Sequence, residues 1–240
     1  MSKVNWKYVF LFLMIAVLGL TGCVKAEADT EYAPDGKEKL KVVSTIFPSC
    51  DFVNQIGGGY VSVRQLLKPG MEAHSYEPSP ADIIEIGECD LFLYAGGESD
   101  VWVEEMLAGT DSVIAAYSLL EWVDPLEEES VEGMQTTGHR HDHEHGEECE
   151  EAVHLHAEEY DEHVWTSPQN AIFLVENIRD VLCSLDPERS EIYQQNAEEY
   201  MLKLKELNQE YQNMIDSAER NVLVFGDRFP FLYLARNYGL

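Results

Sequence analysis

The chain has 240 residues, of which 45% are hydrophobic, so it is long enough to bury the core of one large domain or of two lobes. It carries 16 Lys and Arg against 45 Asp and Glu, a formal net charge of -29. This balance excludes a nucleic-acid-binding protein, because phosphates require clustered basic side chains, and it suits a protein that attracts cations.

The N-terminal segment is predicted to be a lipoprotein signal. Two lysines precede an apolar run at residues 8–20, which is too short to span a bilayer comfortably and has the length of a signal-peptide core. The Leu-Thr-Gly-Cys sequence that follows resembles a bacterial lipobox, so residues 1–22 are expected to be removed and Cys23 to carry lipid. Residues 23–39 are polar, contain Pro-Asp-Gly, and are predicted to be a flexible tether.

Strand and helix patterns alternate from residue 40 onwards. Apolar and β-branched runs predict buried parallel strands at residues 40–47, 60–67, 90–94 and 112–117. Helices are predicted at residues 51–56, 80–87 and 101–107, and Ser79-Pro80 supplies an N-cap and a first-turn proline to the second of them. The chain is therefore predicted to have an α/β fold with a mainly parallel sheet.

Residues 127–160 interrupt this alternation with an acidic loop that is rich in histidine. Alternating imidazoles and carboxylates can form several weak, exchangeable metal sites, and the alternative is a charged loop without a function. Cys149, in the same loop, is either a metal ligand or an exposed thiol. The candidate accessory metal ligands of the loop are His139, His141, His143, His145, His154 and His156.

Two helices are predicted after the loop, at residues 168–185 and 189–219. At 1.5 Å per residue the second would span roughly 45 Å, which favours a rigid spine between two lobes over a coiled-coil seam. A strand at 221–225 and a helix at 229–237 follow, too little to bury a second sheet. The predicted organisation is an N-terminal lobe, a bridging helix and the start of an incomplete C-terminal lobe, at residues 40–188, 189–220 and 221–240.

Two isolated histidines lie in predicted loops outside the histidine-rich tract. His74 follows the second strand, and His163 precedes the helix at 168–185. Zinc sites gather imidazole nitrogens and carboxylates from separate loops, so these two residues are the candidate ligands of a fixed metal site.

The sequences around both histidines carry a family resemblance. Residues 69–80 (PGMEAHSYEPSP) and 161–168 (DEHVWTSP) resemble the two metal-binding motifs of the zinc and manganese ABC-transporter substrate-binding lipoproteins, the cluster A-I, zinc-uptake type. The lipobox, the opening at residues 40–48 and Leu-Asp-Pro at 185–187 also fit this family, so the resemblance covers residues 40–240 nearly continuously.

The resemblance implies a two-lobed, periplasmic-binding-protein-like fold in which one long helix bridges the lobes and metal is held in the cleft. It implies that His74 and His163 are the ligands from the N-terminal lobe, and that the histidine-rich loop is the insertion found in zinc-type members. The expected cargo is Zn²⁺, since nitrogen-rich sites favour zinc and Mn²⁺ prefers oxygen. The expected partners are an ABC permease, its ATPase and the bacterial cell membrane, to which the extracytoplasmic protein is anchored by lipid.

The third ligand is where the chain departs from the family pattern. Arg228 stands where the family has a histidine, and arginine stays protonated and cannot coordinate a cation. Either Asp227 supplies an oxygen ligand, or the site is completed by water, by the histidine-rich loop, or by a carboxylate further along the chain. The alternative role for Asp227 is to pair with Arg228 and fix a turn.

Other function classes remain as alternatives. A zinc hydrolase would need a general base beside the metal, typically in an HExxH helix, and the sequence has no such motif, so no catalytic residue is predicted. A manganese- or iron-binding homologue, or a metal-storage or cell-adhesion surface lipoprotein, would share the signal segment and the loop.

Overall fold

The computed structural model describes residues 32–109, 114–128, 160–226 and 229–240. Its strands are β1 Leu40–Ser44, β2 Val61–Gln65, β3 Leu91–Tyr94 and β4 Ala115–Ser118. They form one parallel sheet in the order β2-β1-β3-β4. The predicted α/β class with a parallel sheet is confirmed, and β1 lies inside the sheet because the chain crosses over to either side of it.

The α-helices are α1 Phe47–Gly57, α2 Pro80–Gly87, α3 Val101–Gly109, α4 Pro168–Leu185, α5 Ser190–Asp216 and α6 Leu232–Tyr238. The first helix begins earlier than predicted because Pro48 is favourable in a first helical turn. The second begins as predicted, since the Ser79 and Asp82 side chains form a capping box. None of the helices described is both long and apolar enough to cross a bilayer.

Successive residues of the inner strands pack into two different layers. Val42 and Leu91 belong to the larger core cluster, with side chains from α1, α4 and α5. Val43 and Phe92 belong to the smaller cluster, with Ile86 of α2 and neighbours from α3. This alternation is the period of two that a strand imposes on its side chains. The sheet is therefore covered by helices on both faces.

The helix α5 extends past the layer that it covers. It has 27 residues, which corresponds to roughly 40 Å. Tyr193 and Ala197 in its first half are fully buried, whereas Leu207 and Met214 in its second half are 41% and 58% exposed. This geometry suits the predicted bridging helix, and the second lobe stays a prediction.

The predicted strand at residues 221–225 is not formed in the described part of the chain. The segment pairs with no described strand, and its Val224 side chain is 91% exposed. A parallel strand requires neighbours for its main-chain groups, and the four-stranded sheet offers none at this place. The helix predicted next is present as α6, and Gly239 ends it with a φ of 70°.

Residues 32–38 are folded, although the sequence predicts a flexible tether there. The main-chain N–H of Ala33 donates to the Lys37 carbonyl at 2.8 Å, and Ala33 is buried. Arg189, at the start of α5, donates through Nε and Nη2 to the Asp35 carboxylate at 2.7 and 3.1 Å and through Nη1 to Asp186 at 2.9 Å. We call Asp35, Asp186 and Arg189 the N-terminal clamp, because they bind the segment before β1 to the long helix.

Candidate metal centre

His74 lies in the loop after β2, on a short 3₁₀ turn, Ala73–Ser75. Its side chain is exposed, and its Nδ1 lies 3.0 Å from Oγ of Ser99. Ser99 belongs to the turn Glu98–Asp100 that follows β3. Loops at the carboxyl ends of parallel strands meet at one edge of the sheet, which is where α/β proteins bind their ligands. With Nδ1 engaged by the hydroxyl, Nε2 is the nitrogen left for a metal ion.

His163 lies at the start of the 3₁₀ turn Val164–Thr166, just before α4. Its Nδ1 is 3.1 Å from Oδ1 of Asp161, and its main-chain N–H donates to the same oxygen at 2.7 Å. Burial lowers the pKa of His163, but the hydrogen bond to Asp161 and the charges of Asp161, Glu162 and Glu128 together outweigh that effect, so the pKa lies above its usual range. A carboxylate on Nδ1 also makes an imidazole a stronger donor to metal, and it leaves Nε2 as the ligating nitrogen.

The two histidine loops are joined through Ser99 and Glu162. The Ser99 main-chain N–H donates to Oε1 of Glu162 at 2.6 Å, while the Ser99 hydroxyl contacts His74. Glu162 directly precedes His163 in the chain. The structure therefore brings the two predicted ligand loops together, with one buried serine between them.

The sheet edge around His74 and His163 is rich in acidic side chains. The carboxylates of Asp100, Asp161 and Glu162 are buried, with relative exposures of 4%, 4% and 7%. Burial and the nearby Glu162 charge raise the pKa of Asp100 to about 6, although the Gly96 main-chain N–H donates to it at 3.1 Å. Among the residues that the structure describes, no lysine or arginine forms an ion pair with these three carboxylates. Such a site attracts a divalent cation.

The helix α6 packs beneath the His163 segment. The Tyr233 hydroxyl donates to the Asp161 carbonyl at 2.8 Å and accepts from the Leu126 main-chain N–H at 3.1 Å. Next to this contact, Glu127 and Tyr160 form an antiparallel bridge. The two residues that bound the predicted histidine-rich loop are thus paired at its base, close to His163.

Several predicted site residues lie outside the described part of the chain. They are Cys23, Asp227 and the accessory histidines His139, His141, His143, His145, His154 and His156. Within the described ranges, no group of three or more His, Cys, Asp or Glu side chains could hold a metal ion. The assignment of His74 and His163 as ligands remains a prediction, as does the identity of the other ligands.

The sequence reasoning gave no role to Ser99, Asp161 or Glu162. Asp161 had a usable signal, since an acid two residues before a candidate ligand can accept a hydrogen bond from its ring. Ser99 is 25 residues from His74, and only the packing of the two loops brings them together.

The chain is similar to known zinc-uptake proteins. Residues 42–240 match the family model described as "ZnuA: Zinc-uptake complex component A periplasmic". The zinc-binding lipoprotein AdcA of Streptococcus pneumoniae strain R6 is 32% identical over 98% of this chain and 43% of its own length. The zinc-binding protein AdcA of Streptococcus pyogenes serotype M3 is 35% identical over 84% of this chain and 38% of its own.

A solved structure of a zinc-binding protein has a similar fold. The crystal structure of Zn(II)-bound AdcA from Streptococcus pneumoniae superposes with a TM-score of 0.68 at 30% identity, covering 84% of this chain and 38% of that one. The chain thus spans less than half the length of the curated relatives it matches. Since the family model covers most of the chain and both histidine motifs, the chain belongs to the ZnuA family of zinc-uptake complex components.

Proposed function

We propose that this chain is the metal-binding component of an ABC uptake transporter and that Zn²⁺ is its preferred cargo. The observation that carries the proposal is the pair of imidazoles on joined loops, each with Nδ1 held by a protein oxygen. This arrangement presents two Nε2 donors at an electronegative edge, which suits a borderline cation. Its membership of a transport family also agrees with the expectation that the chain is not an enzyme.

Zinc is preferred over manganese because of the donor set. His74 and His163 supply nitrogen, and we propose that Asp227 adds an oxygen ligand, with the histidine-rich loop as an accessory reservoir. A manganese or iron cargo would instead favour a site dominated by oxygen donors.

The proposed setting is the outer face of a bacterial cell membrane. We propose that Cys23 carries the lipid that anchors the chain there, and that the partners are a permease and its ATPase. The names of the curated relatives, which include a zinc-binding lipoprotein, support this setting.

Equilibrium dialysis of the full chain against Zn²⁺ and Mn²⁺ tests the proposal. His74→Ala and His163→Ala are each expected to weaken zinc binding by more than the 10- to 100-fold typical of outer-shell substitutions, because each removes a ligand. Glu88→Ala is the matched control, since it removes an exposed acid that lies outside both histidine motifs.

Deletion of residues 138–156 distinguishes a fixed zinc site used for transport from zinc storage by the histidine-rich loop. The deletion is expected to lower the number of zinc ions bound and to leave the tightest site intact. Loss of all tight binding on deletion, with parental binding in His74→Ala, would favour the storage or adhesion lipoprotein and contradict the fixed site.

A further inference from the structure

Ser99 makes two hydrogen bonds, one through its side-chain hydroxyl and one through its main-chain N–H. Its hydroxyl lies 3.0 Å from Nδ1 of His74, and its main-chain N–H donates to Oε1 of Glu162 at 2.6 Å. Ser99 is 8% exposed and Glu162 is 7% exposed, so the bond between these two residues is shielded from solvent, whereas the His74 ring is exposed. The buried Ser99 therefore connects the exposed His74 ring to the residue that precedes His163.

Burial of the Glu162 carboxylate has a free-energy cost. A buried carboxylate is unfavourable unless its oxygens are well satisfied, and no lysine or arginine pairs with this one in the described ranges. The backbone makes room for it at Gly97, which has a φ of +74° and where a Cβ would lie 2.7 Å from Cγ of Glu162. A left-handed glycine next to a buried acid indicates that the position of this carboxylate is specified.

We propose that Glu162 is a positioning residue, which acts through Ser99 to hold the His74 ring ready for metal. The inference rests on the proposed function of His74 as a ligand. It assigns Glu162 the task of fixing the Ser99 main chain, so that the hydroxyl oxygen stays within hydrogen-bond distance of Nδ1.

The consequence for His74 concerns its tautomer. When Oγ of Ser99 accepts, Nδ1 carries the proton and Nε2 keeps a free lone pair for a cation. If Ser99 shifts away or its hydroxyl donates to Nδ1, the ring proton moves to Nε2 and must be displaced before metal binds. Because Glu162 adjoins His163, one carboxylate sets the geometry of both ligand loops.

The test uses four variants of the full chain with ¹⁵N-labelled histidine. Glu162→Ala removes the acceptor, Glu162→Gln keeps a carbonyl oxygen for the Ser99 N–H, and Ser99→Ala removes the hydroxyl. Glu98→Ala is the matched control, because Glu98 is an exposed acid in the same turn. The ring ¹⁵N shifts of His74 report its tautomer in the metal-free protein, zinc affinity is measured by chelator competition, and thermal unfolding reports stability.

In the parent, the His74 shifts are expected to show the proton on Nδ1. Glu162→Ala and Ser99→Ala should move the population toward Nε2–H and weaken zinc binding by about 10-fold, at the lower end for outer partners of a ligand. Glu162→Gln should restore the parental tautomer and stay within about 3-fold of parental affinity, and Glu98→Ala should change neither readout.

An unchanged His74 tautomer in either Glu162→Ala or Ser99→Ala would overturn the inference, because the proposed connection needs both links, whatever happens to the melting temperature. If Glu162→Ala does not fold, Ser99→Ala decides by the same readout. Failure of the proposed function looks different: His74→Ala would then bind zinc like the parent, while the metal-free tautomer would still report on the role of Glu162.

Discussion

Replacing Asp161 with asparagine isolates the effect of a single negative charge on a proposed zinc ligand. Oδ1 of Asp161 accepts from the ring Nδ1 of His163 at 3.1 Å and from the His163 main chain at 2.7 Å. The amide oxygen of asparagine can accept both bonds, so the loop is expected to keep its conformation. What is lost is the charge that polarises the imidazole.

The magnitude follows from the strength of the two kinds of hydrogen bond. A bond to a charged acceptor contributes about 1.5–3 kcal/mol and a neutral one about 0.5–1.5 kcal/mol, so about 1 kcal/mol of the difference should appear in binding. The His163 side chain is 34% exposed, and solvent screening places the effect toward the smaller end. Asp161→Asn is therefore expected to weaken zinc binding about 3- to 5-fold at pH 8.

The pH dependence of zinc binding tests the direction of the effect of the Asp161 charge. Zinc competes with a proton for His163, whose pKa is raised, so in the parent zinc affinity starts to fall at a higher pH than for an ordinary histidine. In Asp161→Asn the fall should begin at lower pH, and the two affinities should converge as the pH approaches 6. Chelator competition from pH 6 to 8.5 measures both effects, with the exposed Asp180→Asn as the control. Parallel curves for variant and parent would refute a role for the Asp161 charge.

Three further predictions concern stability, each measured by thermal unfolding. The pKa of Asp100 is raised to about 6, so the favourable contribution of its protonated form is present below pH 4 and is lost as the pH rises through 6. Asp100→Asn should therefore raise the free energy of unfolding by roughly 3 kcal/mol at pH 7.5 and leave it nearly unchanged at pH 4; equal effects at both would contradict this. Gly97→Ala should cost about 1–3 kcal/mol because of its positive φ and the contact with Glu162, whereas Gly109→Ala, with nothing near its added Cβ, should be neutral or stabilising. Arg189→Ala should lower the melting temperature by about 5 °C because it leaves two acids of the N-terminal clamp unpaired, while Lys37→Ala, which breaks an exposed pair with Glu188, should change it far less.

The parallel strands and the helix that starts at Pro80 were predictable because local signals agree with the tertiary fold. The apolar runs of β1 and β3 are buried between two helical layers, and Ser79-Pro80 has a local capping role that needs no distant partner. Ser167, with the same Ser-Pro signature, differs: its hydroxyl accepts from Asn237 and makes no cap bond. A long-range contact there replaced the local one.

The two segments whose structure differs from the prediction also depend on long-range contacts. Residues 32–38 have the composition of a linker, yet Arg189, more than 150 positions later, binds them to the domain. Residues 221–225 have the composition of a strand, but no neighbouring strand is described for them to pair with. Both candidate ligands were found because their motifs are local, whereas the link between their loops depends on packing around Ser99.

The N-terminal clamp also determines where the domain can fray. A segment outside the sheet normally opens before the strands do, and an opening at residues 32–38 would continue directly into β1. Because β1 hydrogen-bonds to β2 on one side and β3 on the other, its release would split the sheet through its middle. By binding Asp35 to the start of α5, Arg189 blocks this route. Amide protons of β1 should therefore exchange only with global unfolding, although β1 directly follows residues 32–38, which lie outside the sheet.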